Sequence, residues 1–213
     1  MTTPRTAQPR PGAKTIYLAS NSPRRQELLK QIHVRFETLL FRGPGRHDHD
    51  IAEHELPDED PVSYVKRVAR AKAEGGVQRM HWRELEPHLL LAADTTLEVD
   101  GEIVGKPHDG EDAVSILRKL SGRTHRVLTC VVVTDGTRYE QRMSASDVHF
   151  RPLTETEIRH YVATGEAADK AGAYGIQGRA ALFIEEIRGS YSGIMGLPLF
   201  ETGVLLKEFG YPL

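Results

Sequence analysis

The sequence predicts an α/β protein, a mixed β-sheet flanked by helices, and three features carry that expectation. Strand-like and helix-like segments are interspersed without the strict alternation that a doubly wound parallel sheet requires. Two long strand-like runs, about 123–134 and 138–151, meet at Asp135-Gly136, the signature of an antiparallel hairpin. A second hairpin is marked by Asp100-Gly101 between Thr96–Val99 and Glu102–Val104.

Each remaining element has its own local reason. Residues 1–14 carry three prolines and little apolar content, and read as a disordered tail ahead of a single domain over 15–213. A short strand is expected at Ile16–Ala19. Ser22 and Pro23 then supply an N-cap and a first helical position, with Leu28, Leu29 and Ile32 facing inward. A second strand follows at Arg35–Leu40, and then a polar loop over 41–59. A helix begins at Asp60-Pro61 and runs at least to Ala73. The apolar run His88–Ala93 reads as a buried strand that ends just before Asp94. Asp109–Leu120 is an amphipathic helix with Val114, Leu117 and Leu120 inward, closed by Ser121-Gly122. Thr154 caps a helix to Thr164, the glycine-rich 172–178 leads into a strand at Ala180–Ile187, and Pro198–Phe209 is the closing helix.

Composition narrows the function. The 213 residues are 39% hydrophobic, enough to close a core, with a formal net charge of −2. That balance argues against a nucleic-acid or membrane-surface binder, so any anion site must be a local cluster of cations. No run approaches the ~18 apolar residues needed to span a bilayer. The single cysteine, Cys130, excludes an intramolecular disulfide and fits a reducing, cytoplasmic setting. Within the run Val127–Val133 it reads as a small buried hydrophobe rather than a reactive thiol.

Four constellations remain. Ser20-Asn21-Ser22-Pro23-Arg24-Arg25 puts two arginines in a first helical turn, an end that already carries about half a positive charge. An anion beside them would justify that placement; the alternative is a solvated pair balanced by Glu27 and water. Lys72 falls on the inward stripe of its helix with Val65, Val68 and Ala69, where it either snorkels or meets an anion, whereas Lys66, Arg67 and Arg70 lie off the stripe. Asp94 and Lys106 each fit two roles. Asp94 taken alone suits a turn cap better than a water-activating or metal-holding carboxylate, and Pro107 keeps Lys106 extended, pointing inward or out. In Gly172–Gly178 the glycine spacing matches neither the dinucleotide nor the P-loop fingerprint. Gln177 within it offers a donor and an acceptor on one amide, as the imide edge of uracil or thymine requires. His47, Asp48, His49, Asp50 and His54 read as solvated loop residues more than as a metal site.

The ordered set Leu18-Ala-Ser-Asn-Ser-Pro-Arg-Arg-Gln-Glu-Leu-Leu29, Ala93-Asp-Thr95, Gly105-Lys-Pro107, Leu120-Ser-Gly122, Asp169-Lys-Ala-Gly-Ala-Tyr-Gly-Ile-Gln-Gly178 and Gly196-Leu-Pro-Leu199 resembles the Maf family over essentially 16–209. The resemblance implies a fold related to the inosine triphosphate pyrophosphatases, with a cleft between two lobes, a divalent magnesium or manganese cofactor and a homodimer. It also implies that a nucleoside triphosphate is cut to monophosphate and pyrophosphate, with Asp94 as proton acceptor for the attacking water. Ser20, Arg25, Lys72 and Lys106 would hold the triphosphate, while Arg24, Thr95 and Gln177 match the branch acting on dTTP and UTP, with a house-cleaning activity on modified pyrimidine triphosphates as the alternative. The acidic pair that many relatives carry after the second strand is replaced here by Phe41-Arg-Gly-Pro-Gly-Arg-His-Asp-His-Asp50. Asp48 or Asp50 are stand-ins at most, so no metal ligand is assigned. The rival is a regulator that binds a partner, since the family has also been named for an effect on septum formation; full retention of the carboxylate and cations favours an enzyme.

Overall fold

The structure is a computed structural model and describes residues 14–39 and 53–213. The expected tail, and the His47–Asp50 stretch with its candidate ligands, lie outside those residues. Among the described residues seven strands form one mixed sheet in the order β2-β1-β3-β5-β6-β7, with β4 beside β3. They are β1 (Thr15–Leu18), β2 (Arg35–Thr38), β3 (Leu90–Val99), β4 (Glu102–Val104), β5 (Thr124–Thr134), β6 (Tyr139–Phe150) and β7 (Ile184–Arg188). β1 pairs in parallel with β2 and β3, and the other pairings are antiparallel.

Among the described residues six α-helices flank this sheet: α1 (Pro23–Gln31), α2 (Pro61–Trp82), α3 (Gly110–Leu120), α4 (Glu155–Ala163), α5 (Tyr191–Met195) and α6 (Leu199–Glu208). Their starts follow the local chemistry. The Ser22, Asp60, Asp109 and Thr154 side chains each accept from a first-turn backbone N–H, and Thr154 with Glu157 closes a full capping box. α2 covers one face of the sheet, packing Val65, Ala69 and Ala73 on Tyr17, Leu90, Ala92 and Cys130. α1 and α6 cover the other face through Leu28, Leu29, Leu205 and Leu206 against Leu91, Ala93, Val131 and Val133. α3 and α4 close a third core around Leu97, Leu117, Val148 and Phe150. A fully buried aliphatic side chain such as Val65 or Leu91 contributes about 1.5–3 kcal/mol.

Three expectations change. Asp94 does not follow a strand; it lies inside one, because β3 continues through Thr95–Glu98, each residue paired with β5. The strand expected at Ala180–Ile187 begins only at Ile184. Residues 179–183 form a 3₁₀ turn, held by the Arg179 N–H donating to Glu166 Oε2 and the Ala181 N–H donating to the Gly178 carbonyl. The short helix α5, capped by Ser190, is an element that the apolar periodicity did not mark. Cys130 is fully buried, and burial pushes its thiol up to about 12, so it packs as an inert small hydrophobe.

Candidate active site

The site begins with a gap in strand pairing. On one side β3 is bonded to β5 from Leu90 to Glu98. On its other side β1 pairs with Leu90 and Leu91, the Ala19 N–H reaches the Leu91 carbonyl, and β4 takes over only at Leu97. Asp94, Thr95 and Thr96 therefore face an open edge, and a cleft of about 930 Å³ lies there. Alternation along β3 then divides the chemistry between the faces. Asp94 follows Leu90 and Ala92 onto the α2 face, and Thr95 follows Leu91 and Ala93 onto the α1 face.

Helical spacing brings Lys72 to the same place as Asp94. Lys72 lies one turn beyond Val68 and Ala69 and two beyond Val65, on the buried stripe of α2. Its Nζ sits 2.7 Å from Asp94 Oδ1 and 2.8 Å from Glu53 Oε1, with the Lys72 side chain only 15% exposed. Arg67 instead pairs with Glu59 and Arg70 with Glu74, away from the cleft. Glu53 is a cleft residue that sequence reasoning missed; it sits in a polar loop with no periodicity to mark it. Burial pushes its carboxyl up, but Lys72, Lys106 and Arg25 outweigh that and hold it below the usual carboxylate range. Tyr64 donates to the Glu53 carbonyl at 2.8 Å. Burial, then the charges of Asp94 and Glu53, push its hydroxyl up to about 12.

Across the cleft, Ser22 starts α1 and its first turn carries no acidic residue. Arg25 donates from Nη1 to Ser20 Oγ at 3.0 Å, from Nε to the Gly196 carbonyl at 2.7 Å and from Nη2 to Thr95 Oγ1 at 3.3 Å. Among the described residues all its partners are neutral oxygens. Burial lowers its pKa, partly offset by the Asp94 charge, yet a guanidinium stays protonated. Arg24 is not simply solvated, for its Nη1 stands 3.9 Å from Asp169.

The glycine-rich segment forms another wall. Gly172 takes φ +72°, and a Cβ there would lie 2.3 Å from Leu97 Cδ1, so only glycine lets the segment close on β3. Gly178 has an ordinary φ but sits against Glu166, where a Cβ would come within 2.2 Å of Oε2. Between them Tyr174 bonds His125 Nε2 at 2.8 Å, Ile176 is buried and Gln177 is exposed at the cleft. All eight residues singled out from the sequence (Ser20, Arg24, Arg25, Lys72, Asp94, Thr95, Lys106 and Gln177) line this one cleft. His54 also borders it, but among the described residues no group of three or more His, Cys, Asp or Glu could hold a metal.

The arrangement has a clear chemical class: a cleft lined by the cations Arg24, Arg25, Lys72 and Lys106, with the Asp94 carboxylate among them. Kinship makes this particular. The family model described as Maf-like protein matches residues 15–209, and the chain belongs to the Maf family. It is 65% identical over 199 residues to the dTTP/UTP pyrophosphatase of Aromatoleum aromaticum (strain DSM 19018 / LMG 30748 / EbN1), covering 93% of this chain and 97% of that one. It is 55% identical over 196 residues to the dTTP/UTP pyrophosphatase of Dechloromonas aromatica (strain RCB), covering 92% and 98%. A solved structure of the Staphylococcus aureus Ham1 protein aligns with a TM-score of 0.46 at 16% identity, over 92% of this chain and 97% of that one, too distant to bear on the chemistry. No helix among the described residues is long and apolar enough to cross a membrane.

Proposed function

We propose that this chain hydrolyses dTTP and UTP to the nucleoside monophosphate and pyrophosphate, as the names of its relatives state for them. The observation that carries the reading is Arg25: a partly buried guanidinium bonded only to neutral oxygens among the described residues, facing Asp94 across one cleft. A cation desolvated without an anion is costly, and a bound triphosphate removes that cost.

The chemistry follows from these residues. Arg25, Lys106 and the N-terminus of α1 neutralise the triphosphate. Asp94 takes a proton from a water whose oxygen bonds to the α phosphorus, while the α–β bridging bond breaks and pyrophosphate leaves with the electron pair. Lys72, shared between Asp94 and Glu53, orients the carboxylate and stands ready to meet a phosphate oxygen. Arg24, Thr95 and Gln177 face the base.

The implied divalent cation fits this donor set. Two carboxylates converge on the Lys72 ammonium, so a positive charge already marks the spot, and hard oxygen donors supplemented by phosphate oxygens suit magnesium or manganese. Glu53 and Asp94 would hold it, and when bound it supplies further charge neutralisation to the triphosphate. The protein is further proposed to act in the cytoplasm as a homodimer, clearing modified pyrimidine triphosphates along with dTTP and UTP.

Product analysis tests this reading. Purified protein with magnesium should convert dTTP to dTMP and pyrophosphate, and UTP to UMP and pyrophosphate. Release of dTDP and inorganic phosphate would overturn the site of attack. Absence of turnover on every triphosphate would leave the partner-binding regulator in its place.

A further inference from the structure

The turn that carries Gln177 is held from outside the cleft. It is closed by the Gly178 N–H, which donates to the Gly175 carbonyl at 3.0 Å. The Gln177 amide has no hydrogen-bond partner among the described residues, so the backbone turn places it. Neither glycine takes a positive φ; each makes room for a neighbour instead. A Cβ on Gly175 would lie 2.9 Å from Lys170 Cε, and one on Gly178 would lie 2.2 Å from Glu166 Oε2.

Glu166 uses that room. Its Oε2 accepts from the Arg179 N–H at 2.9 Å. Arg179 opens the 3₁₀ turn 179–183, and the first amides of such a turn have no partner within it. Gly178, at the capping position, has no side chain to supply one. Glu166 supplies it from thirteen residues upstream, as a charge-assisted bond stronger than a neutral one. Glu166 is itself fixed: its N–H donates to Thr164 Oγ1 at 3.3 Å, and its carbonyl accepts from Lys170 Nζ at 2.7 Å. The stem of the same Lys170 lies over Gly175. One short segment, 164–170, thus grips both ends of the turn.

We infer that Glu166 is a positioning residue for base selection: its carboxylate fixes the Gly178–Arg179 end of the turn and so the place where Gln177 meets the base. Telling an imide edge from the cytosine edge needs the donor and the acceptor of one amide aligned together. Hydrogen bonds weaken steeply below an angle of about 120°, so a turn free to rock at one end loses that discrimination. Glu166 is not among the residues that line the cleft, and it acts only through the backbone it holds. This rests on the reading above that Gln177 faces the base, and it adds a residue outside the cleft that sets the amide in place.

Two measurements test it. Steady-state kcat/KM for dTTP and dCTP should be compared in wild type, Glu166→Ala, Glu166→Gln, Gly178→Ala and Gln177→Glu. Alanine at 166 removes the acceptor, and alanine at 178 pushes the carboxylate off the same N–H. In both, the dTTP-to-dCTP ratio should fall roughly tenfold, the worth of one hydrogen bond. Glutamine at 166 still offers an oxygen and should keep most of the wild-type ratio. With Gln177→Glu lowering the ratio, a wild-type ratio in Glu166→Ala or Gly178→Ala would overturn the proposal alone. So would an equal loss on both substrates, or a loss in Glu166→Gln as large as in Glu166→Ala. A Gln177→Glu ratio equal to wild type would overturn the base reading and the proposal with it. Independently of substrate, hydrogen exchange at the Arg179 amide should quicken about tenfold in Glu166→Ala and stay slow in Glu166→Gln. Exchange unchanged by the alanine would refute the clasp.

Discussion

Lys72 Nζ and Asp94 Oδ1 lie 2.7 Å apart although they come from different layers, one from the buried stripe of a helix and one from the middle of a strand. Each would be costly there alone. Removing one partner of a buried pair leaves an uncompensated charge. The pair therefore survives as a unit, at the spot where β3 lacks a neighbour.

Lys72→Met keeps the apolar stem and removes the charge. Losing a charge-assisted hydrogen bond of about 1.5–3 kcal/mol should lower kcat/KM for dTTP at least tenfold. Lys66→Met, off the stripe, should do little. Equal losses in the two variants would contradict the argument from the helical face.

Glu53→Gln keeps the size of a proposed metal-holding carboxylate and removes its charge. The magnesium concentration for half-maximal activity should rise about tenfold, with saturated turnover much less affected. An unchanged magnesium dependence would take Glu53 out of that role.

Gln177→Glu removes the amide donor that would meet a base carbonyl. The ratio of kcat/KM for dTTP over CTP should fall, because a hydrogen-bonding site rejects a mismatch by up to roughly 10⁴ and loses that margin with the donor. The same ratio in both proteins would leave selection to Arg24 and Thr95.

His125 predicts a pH dependence of stability. Burial, with the His149 charge adding to it, lowers its pKa from 6.5 to about 4. Below pH 6.5 the unfolded chain takes up a proton that the folded one refuses. Stability from this group is thus full above pH 6.5, falls as pH drops, and levels off near pH 4. From pH 7 to pH 5 wild type should lose about 2 kcal/mol more than His125→Gln in denaturant titrations. Parallel losses would show that His125 does not stay neutral.

Much of this was legible in the sequence for local reasons. Ser22-Pro23 announces a helix start, and Lys72 declares itself by its spacing from Val65, Val68 and Ala69. Asp94 was visible as a residue but misplaced at a strand end, because nothing in 90–99 reveals that β1 stops at Leu18 and leaves a paired strand with an open edge. Glu53 and the Gly196 carbonyl reach the site only through tertiary folding, from a polar loop and from a turn after a five-residue helix.

In the proposed reaction Asp94 takes the proton of the attacking water. Asp94→Asn keeps the shape of the side chain and removes its basicity. Turnover of dTTP by the purified variant, with circular dichroism confirming the fold, should fall by about 10²–10⁴. A folded Asp94→Asn protein that turns dTTP over at close to the wild-type rate would contradict it.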